Sequence, residues 1–266
     1  MPLAVCATPI GNLEDVTLRV LRELREADVV LCEDTRHTRV LLRRHEIDAE
    51  LLSYHEHNEA KRTAELLPRL QAGERMALVS DAGLPGISDP GARLIGAALE
   101  AGVEVTVLPG PSAVETALVA SGLVGERYQF VGYLPRGDKA LASLWGELAR
   151  WPWPVVAFDS PQRLPRTLRS LALALPDRRV VVCRELTKRF EEVARGKADE
   201  LAARFEEPPK GEIVLVLGAA EAVADDAAGA EAVADLVRAG MGRRQAADFV
   251  ARLTGASRNE LFRRSL

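Results

Sequence analysis

Short apolar runs alternate with helix-like segments along most of the chain. Because the apolar runs are continuous rather than alternating, we expect strands covered on both faces, as in α/β proteins. The predicted strands are residues 3–7, 28–32, 76–80, 103–107, 128–132, 154–158, 179–183 and 212–217. The predicted helices are residues 17–26, 58–71, 90–101, 111–121, 138–150 and 161–174.

Turn-forming residues mark the ends of several predicted helices. Gly102 follows the segment 90–101 and predicts a left-handed stop for that helix. Three helices are predicted to begin with proline as the first helical residue, because a residue that favours helix caps precedes the proline. These starts are Asp89-Pro90, Gly110-Pro111 and Ser160-Pro161.

The pattern divides the chain into two α/β domains and a helical extension. Residues 122–127 interrupt the alternation, so we predict an N-terminal domain over 1–122 and a second domain over 127–218. Residues 219–266 predict two or three short helices, with a capping box that begins at Ser257. Their last thirty residues carry seven arginines and two acids. This extension either packs on the second domain or forms a helix-turn-helix-like contact with nucleic acid.

Composition and charge limit the classes of function. The 266 residues are 47% hydrophobic, which suffices for packed cores, and the net charge of −4 excludes a globally basic nucleic-acid binder while leaving local basic patches. No signal peptide or membrane span is evident, so we expect a cytoplasmic protein. Cys6, Cys32 and Cys183 lie in apolar runs and predict reduced core thiols. The spacing of histidines and cysteines gives no metal site.

Three loops rich in glycine and proline follow predicted strands, at residues 8–13, 81–91 and 108–113. Ligands of open α/β sheets bind beyond the carboxyl ends of strands, where glycine lets the backbone approach a ligand. The 81–91 loop holds three glycines, two prolines and two aspartates, more than a tight turn requires, so we favour a small-molecule pocket over simple turns. Fingerprints for nicotinamide, flavin or nucleoside triphosphate binding are missing from the sequence.

A polar segment, residues 33–38, directly follows the second predicted strand. Titratable groups at such a position favour general acid–base chemistry. The alternative is a helix start capped by Asp34 or Thr35, with Arg36 paired to an acid, and the sequence leaves both open. Residues 178–197 hold seven basic and three acidic residues, which favours a solvated face but is also compatible with phosphate contact.

Three segments in combination carry a family resemblance. Residues 7–13, 32–38 and 79–91 resemble the tetrapyrrole methylase superfamily, and within it the branch that methylates ribosomal RNA. Further similar segments are 108–113, 130–136, 184–188 and 210–214, so the resemblance covers about residues 3–218, and a basic tail is typical of that branch.

The resemblance implies a fold and an activity. The fold is the two-domain α/β architecture of the superfamily, here with a small helical C-terminal extension. S-adenosylmethionine would bind between the domains, and its methyl group would pass to the ribose 2′-hydroxyl of a cytidine at the decoding centre of 16S rRNA in the 30S subunit. The superfamily generally forms dimers, so a homodimer is expected.

The resemblance also assigns residues. The family usually has threonine where this chain has Leu84, a mild departure if the backbone makes the contact. The implied cofactor contacts are Pro9, Ile10, Gly11, Ala82, Gly83, Leu84, Ile87, Ser112, Ala113, Phe158, Glu212 and Ile213. The basic residues expected to contact RNA are Arg39, Arg43, Arg44, Arg184, Arg189, Arg243 and Arg244.

The expected chemistry needs a group that accepts a proton. A ribose hydroxyl is a poor nucleophile while protonated, and a nearby cation stabilises the developing alkoxide. Our hypothesis makes Asp34 or Glu33 the base or orienting carboxylate. Arg36, His37 and Lys188 are expected near the ribose and its phosphate.

Two other functions stay open. A C-methyltransferase that acts on a tetrapyrrole precursor would explain the cofactor loops, but neither the basic tail nor residues 33–38. A non-catalytic RNA-binding factor for ribosome assembly would explain the basic residues, yet the glycine- and proline-rich loops look intact. Binding of S-adenosylmethionine separates this last function from both enzymes.

Overall fold

The structure is a computed structural model that describes residues 2–220, 226–254 and 256–265, with only the backbone described for residues 226–228. Two five-stranded sheets come first in the chain, and three helices follow. Part of the predicted extension, residues 221–225, therefore lies outside the described residues.

The first domain is built on a parallel sheet with the strand order β3-β2-β4-β1-β5. Helices α1 and α2 cover one face and helices α3 and α4 the other, which confirms the expectation of strands buried on both faces. Its elements are β1 (Leu3–Cys6), α1 (Leu18–Glu26), β2 (Val29–Cys32), α2 (Thr35–Arg44), β3 (Leu51–Ser53), α3 (Glu59–Gln71), β4 (Met76–Val79), α4 (Ala92–Glu100), β5 (Val105–Leu108) and α5 (Ala113–Ser121).

The second domain is built on a mixed sheet with the strand order β6-β7-β10-β8-β9, in which only β6 and β7 are parallel to each other. Helices α6, α7 and α8 cover one face of this sheet. Its elements are β6 (Gln129–Tyr133), α6 (Asp138–Leu148), β7 (Val155–Asp159), α7 (Leu164–Ala174), β8 (Arg179–Arg184), β9 (Glu192–Lys197), α8 (Ala198–Arg204) and β10 (Ile213–Leu217).

Helix α5 joins the two domains. It precedes the predicted boundary at residues 122–127, but its buried face packs on the second sheet. Val114 and Leu118 of α5 share one apolar cluster with Val181 and Val214 of that sheet. By packing, α5 therefore belongs to the second domain, although the chain reaches it directly from β5.

Four elements were not predicted from the hydrophobic pattern: α2, β3, β9 and α8. Helix α2 buries only Thr38, Leu41 and Leu42, and all its other residues except Val40 are polar, so its apolar stripe is narrow. Strand β3 has only three residues, and β9 alternates charged with small or apolar residues at a sheet edge. Such short or polar elements form because neighbouring strands and helices cover them.

The three helix starts predicted at proline were placed too early. Helices α4, α5 and α7 begin two or three residues after Pro90, Pro111 and Pro161, respectively. The residues before α4 cannot be helical, because Ser88 and Gly91 have positive φ values of 63° and 135°. The stop predicted at Gly102 is confirmed by its φ of 71°.

The C-terminal extension forms a small unit of its own. Helices α9 (Asp226–Arg238), α10 (Arg243–Thr254) and α11 (Arg258–Arg264) pack around a shared apolar core that includes Val233, Val250 and Leu261. Ser257 precedes α11 as predicted, but its side chain forms no capping hydrogen bond. The three helices bury apolar side chains against one another, and contact of this unit with nucleic acid stays a prediction.

Two further expectations concern the cysteines and the membrane. Cys6, Cys32 and Cys183 are free and buried, as predicted, and burial raises the pKa of each thiol. Within the described ranges of the chain, no helix is long and apolar enough to cross a bilayer.

Candidate active site

A cleft of about 520 Å³ lies between the two domains. Its first-domain wall consists of the loops that follow β1, β2, β4 and β5, and its second-domain wall comes from residues at the ends of β6, β7, β8 and β10. Carboxyl ends of parallel strands meet at one edge of the first sheet, which is where open α/β sheets bind ligands. The three loops singled out in the sequence all reach this cleft.

Ten of the twelve residues expected to contact a cofactor line the cleft. They are Ile10, Ala82, Gly83, Leu84, Ile87, Ser112, Ala113, Phe158, Glu212 and Ile213. Residues from both domains are thus brought together by the tertiary structure as the resemblance implied.

The other two, Pro9 and Gly11, are not among the described residues that line the cleft. Gly11 instead touches the second domain: a Cβ atom there would lie 2.7 Å from Thr187 Oγ1 and 2.9 Å from the carbonyl oxygen of Leu186. The neighbouring amide of Asn12 donates to Thr187 Oγ1 at 3.0 Å. Gly11 is therefore required for the close contact between the two domains beside the cleft.

Backbone hydrogen bonds hold the floor of the cleft together. The amide of Thr8 donates to the carbonyl of Gly83 at 2.8 Å, and the amide of Gly83 donates back to Thr8 at 3.1 Å. Thr8 Oγ1 also donates to the carbonyl of Ser80 at 3.0 Å. With its φ of 83°, Gly83 adopts a conformation that favours glycine, so the loops after β1 and β4 form one rigid surface.

Three carboxylates that line the cleft lie near enough to act on one another: Glu33, Asp81 and Asp89. Burial, and then the charge of Asp81, raises the pKa of Glu33. Burial, together with the charges of Glu33 and Asp81, raises the pKa of Asp89 to about 6. Sequence reasoning selected Glu33 but assigned no role to Asp81 or Asp89. The sequence did offer a signal for these two residues, because both aspartates lie in the 81–91 loop, which is otherwise rich in glycine and proline.

Asp34, the other predicted base, is a helix cap. Its side chain accepts from the amide of Arg36 at 2.8 Å and pairs with the Arg36 guanidinium at 2.7 Å. These contacts hold the pKa of Asp34 well below its usual range, which makes its carboxylate a weak proton acceptor. Asp34 is not among the cleft-lining residues. The structure therefore agrees with the capped helix start that the sequence left as an alternative.

The basic residues predicted near the ribose lie around the cleft rather than in it. His37 and Arg36 are exposed on the first turn of α2. Lys188 pairs with Glu185 at 2.9 Å and with the cleft residue Glu212 at 3.0 Å. Burial alone would lower the pKa of Lys188, but the two carboxylates outweigh it and raise the pKa. Lys188 thus neutralises the negative charge of Glu212 on the second-domain wall of the cleft.

The arginines predicted to contact RNA fall into two groups. Arg39, Arg43, Arg189 and Arg244 are exposed. The other three have internal partners. Arg44 pairs with Glu14 at 3.3 Å, Arg184 pairs with Glu192 at 2.9 Å, and Arg243 donates to Phe262 and Ser265 of α11. The exposed face of α2, which begins directly after the cleft residue Glu33, is therefore the basic surface next to the cleft.

A buried acceptor lies on the second-domain wall. The Asp159 side chain is fully buried, and its Oδ1 pairs with Arg163 at 2.5 Å and accepts from the amide of Ser160 at 2.8 Å. Its Oδ2 has no hydrogen-bond partner among the described residues. Buried polar atoms are normally paired, so this oxygen is an exception among the described residues.

An aromatic cluster forms the apolar part of the same wall. The ring of Phe158 lies edge-on to Phe130 and Tyr133, with centroid distances of 4.9 Å and 5.4 Å. Phe158 and Tyr133 both line the cleft. Within the described ranges of the chain, no group of three or more histidine, cysteine or acidic side chains is placed to hold a metal ion.

The raised pKa of Asp89 predicts a measurable effect on stability. Because its ordinary value is 3.8 and its folded value about 6, ionisation of Asp89 costs stability increasingly from pH 4 to 6, and by a constant amount above pH 6. Asp89→Asn removes this cost and is expected to raise the free energy of unfolding by on the order of 1–3 kcal/mol at pH 7.5, and by less at pH 4.5. Urea unfolding at both pH values measures the difference.

Glu56→Gln is the matched control for that measurement. Glu56 lies in the groove next to the cleft, and Glu56→Gln is expected to change stability equally little at both pH values. An Asp89→Asn protein no more stable than wild type at pH 7.5 would show that the Asp89 carboxyl is not destabilised by its surroundings.

Together these features describe a two-domain α/β enzyme that binds a small molecule between its domains. The profile of the family described as Tetrapyrrole (Corrin/Porphyrin) Methylases matches residues 2–202, and the chain belongs to this family. The family resemblance drawn from the sequence is thereby confirmed.

Curated relatives extend the similarity to nearly the whole chain. A Mesorhizobium japonicum protein named Ribosomal RNA small subunit methyltransferase I is 43% identical over 99% of this chain and 91% of its own length. A Thermotoga maritima protein of the same name is 46% identical over 82% of this chain and 99% of its own. Among solved structures, uroporphyrin-III-C-methyltransferase from Thermus thermophilus superposes with a TM-score of 0.56 at 24% identity, over 81% of this chain and 93% of that one. That likeness shows the shared fold.

Proposed function

We propose that this protein transfers a methyl group from S-adenosylmethionine to the ribose 2′-hydroxyl of a cytidine in 16S rRNA. The observation that carries the proposal is the interdomain cleft, where ten residues expected to contact S-adenosylmethionine converge from both domains. The names of the relatives, at 43–46% identity, supply the class of substrate.

The cleft residues fit S-adenosylmethionine. The Phe158 ring and the side chains of Ile10 and Ile213 offer apolar surface for an adenosine group, and the loop at Gly83 offers backbone groups. Carboxylates at the other end give a negative environment that suits a cation. When bound, S-adenosylmethionine supplies a methyl group already activated by its sulfonium. The protein must then hold the acceptor in line with that methyl group and accept its proton.

The surface around the cleft suits an RNA substrate. Arg39 and Arg43 are exposed on α2, which starts at the cleft rim. Phosphate contacts by arginine provide most of the affinity of non-specific RNA binding, and they do so locally even where the net charge is negative. Arg189 of the second domain and Arg244 of the C-terminal extension are also exposed.

The two other functions have less support. A tetrapyrrole C-methyltransferase would use the same cleft, but the structures with such names share only the fold, at 20–24% identity. A non-catalytic assembly factor would not need a cleft lined by ten cofactor residues from two domains. The ribosomal reaction accounts for the cleft and for the arginines of α2.

The assembly and location complete the proposal. We propose that the substrate is the 30S subunit in the cytoplasm and that the protein acts as a homodimer. Val107 of the edge strand β5 and Val119 of α5 are exposed apolar side chains that a second copy would cover. A monomer mass by light scattering at working concentration would exclude the dimer.

Methyl transfer from labelled S-adenosylmethionine tests the function. The acceptors are 30S subunits that lack the modification, free 16S rRNA and a tetrapyrrole precursor, and mass spectrometry identifies the product nucleoside. We expect 2′-O-methylcytidine from the RNA substrates. Label on the tetrapyrrole alone would assign the enzyme to C-methylation, and absence of both label and cofactor binding would leave the non-catalytic factor.

A further inference from the structure

We propose that Asp89 is the catalytic base that accepts the proton of the substrate hydroxyl, with Glu33 and Asp81 as positioning residues beside it. This inference rests on the proposed function of the cleft and identifies the proton acceptor that sequence reasoning left open. It replaces Asp34, whose carboxylate is bound to Arg36 and does not line the cleft.

Salt bridges divide the carboxylates of the cleft into two groups. Five acidic residues line it, and two of them are neutralised: Asp159 by Arg163 and Glu212 by Lys188. The other three, Glu33, Asp81 and Asp89, form no salt bridge with any residue in the described ranges. Only a carboxylate without a bound cation keeps enough proton affinity to act as a base.

Contacts and charges then separate these three. Asp81 Oδ1 accepts from the amide of Asp34 at 3.2 Å, so one of its oxygens is already engaged in fixing the start of α2. In Asp89, burial and the charges of Glu33 and Asp81 favour the protonated form, and a hydrogen bond with the Ser80 side chain opposes this in part. Asp89 lines the cleft together with Tyr133 of the second-domain wall, and burial, followed by the Asp89 charge, raises the pKa of the Tyr133 hydroxyl. Asp89 therefore faces the space between the two walls.

The loop that carries Asp89 is held in a strained conformation. Ser88, directly before it, has a φ of 63°, which a non-glycine residue rarely adopts. Gly91, two residues later, has a φ of 135°, and its amide donates to Glu59 Oε1 at 3.1 Å. A Cβ atom on Gly91 would lie 3.0 Å from Leu78. Strain that the surroundings maintain is typical of residues held for function.

The step balances as a single displacement. An Asp89 oxygen takes the proton of the hydroxyl, and the hydroxyl oxygen forms the new C–O bond to the methyl carbon. The C–S bond of the methyl donor breaks with its electron pair left on sulfur, and Asp89 then releases the proton to water. With a pKa near 6, Asp89 is ionised at neutral pH and ready to accept a proton.

Several titratable or charged groups around Asp89 can influence how its ionisation, and hence methyl transfer, depends on pH. Glu33 and Asp81 follow β2 and β4, Arg93 lies on α4, and Tyr133 ends β6. Glu56 and Glu59 line the groove that meets the cleft at Asp89. Of these groups, Glu33 and Asp81 carry the charges that favour the protonated form of Asp89.

Asp89→Asn tests the inference with three readouts. At pH 7.5 and saturating substrates, methyl transfer to 30S subunits is expected to fall at least about 100-fold. Calorimetric affinity for S-adenosylhomocysteine is expected to stay within about threefold, because the amide that replaces the carboxyl group has nearly the same shape and leaves the loop unchanged. In the free wild-type protein, a carbon-13 titration of the Asp89 carboxyl is expected to show a midpoint near 6.

Two further variants make the test specific. Glu56→Gln removes a nearby exposed carboxylate outside the cleft and is expected to leave methyl transfer unchanged. Glu33→Gln removes one of the charges that raise the pKa of Asp89, so it is expected to move the Asp89 midpoint, and the acid limb of the pH–rate profile, to lower pH. A merely structural role for Glu33 would not move that midpoint.

Each contrary result has one meaning. Asp89→Asn with transfer within threefold of wild type overturns the inference, as does a loss explained entirely by weaker S-adenosylhomocysteine binding. A titration midpoint near 3.8 for Asp89 also overturns it. Wild-type protein that methylates no RNA refutes the proposed function and the inference with it, whereas an active wild type beside an active Asp89→Asn refutes the inference alone.

Discussion

Replacing Arg39 and Arg43 of α2 by glutamine is expected to weaken binding to the rRNA substrate about 10–100-fold near 0.1 M salt. Both side chains are exposed one and two turns beyond the cleft rim, and neither forms a salt bridge with another described residue. Each lost phosphate contact is also expected to reduce the slope of log affinity against log salt by about 1. Filter binding of 30S subunits from 50 to 300 mM salt would measure both quantities.

The control replaces Arg166 and Arg169 of α7 by glutamine, although Arg166, unlike Arg39 and Arg43, pairs with Asp138. Helix α7 covers the face of the second sheet opposite α5, so it points away from the cleft side of that domain. The same loss of two positive charges is expected to leave the affinity within about threefold. Equal losses in both double variants would mean that total charge, rather than the α2 surface, governs RNA binding.

Gly11→Ala is expected to reduce methyl transfer about 100-fold, because a small displacement of the domains misplaces groups held on opposite walls of the cleft. The added methyl group would lie 2.7 Å from Thr187 Oγ1 and 2.9 Å from the Leu186 carbonyl oxygen, and a backbone carbonyl cannot swing aside. Overpacking of this kind costs about 1–3 kcal/mol of stability. Single-turnover rates, thermal unfolding and S-adenosylhomocysteine calorimetry would be measured together.

Gly146→Ala provides the control for that substitution. Gly146 lies within α6, and a Cβ atom there meets no other atom within 4 Å. The change is expected to stabilise the protein by about 0.5–1 kcal/mol and to leave transfer unchanged, since alanine favours the helix. A Gly11→Ala protein with wild-type transfer would show that the junction between the loop after β1 and residues 186–188 does not position the cleft.

The hydrophobic pattern determined most of the framework. Buried strands such as β1, β2 and β4 are short continuous apolar runs, which a sequence displays directly because both faces of each strand are covered. Elements that bury few apolar residues leave no such run in the sequence, so the hydrophobic pattern missed them. Helix α2 buries three residues and β3 has only three residues in total, so their stability comes from neighbours that the local sequence does not reveal.

The loop pattern predicted a small-molecule pocket, and the motif resemblance supplied the particular residues expected to contact the cofactor. Loops after β1, β4 and β5 are recognisable because glycine and proline recur at the strand ends, and they do line the cleft. Gly11 shows the limit of this reasoning. The resemblance made Gly11 an expected cofactor contact, but only the folded chain shows that its neighbour is Thr187 of the second domain.

Roles of the acidic residues were decided by tertiary structure alone. Asp34 and Glu33 are adjacent in sequence, yet one caps α2 with Arg36 and the other lines the cleft. Asp89 is more than fifty residues from Glu33 in the chain, and its proton affinity depends on their proximity and on burial. The sequence by itself determined the fold class, the family and the loops of the cleft. Which carboxylate can accept a proton depends on distances and solvent exclusion, and these exist only once the chain has folded.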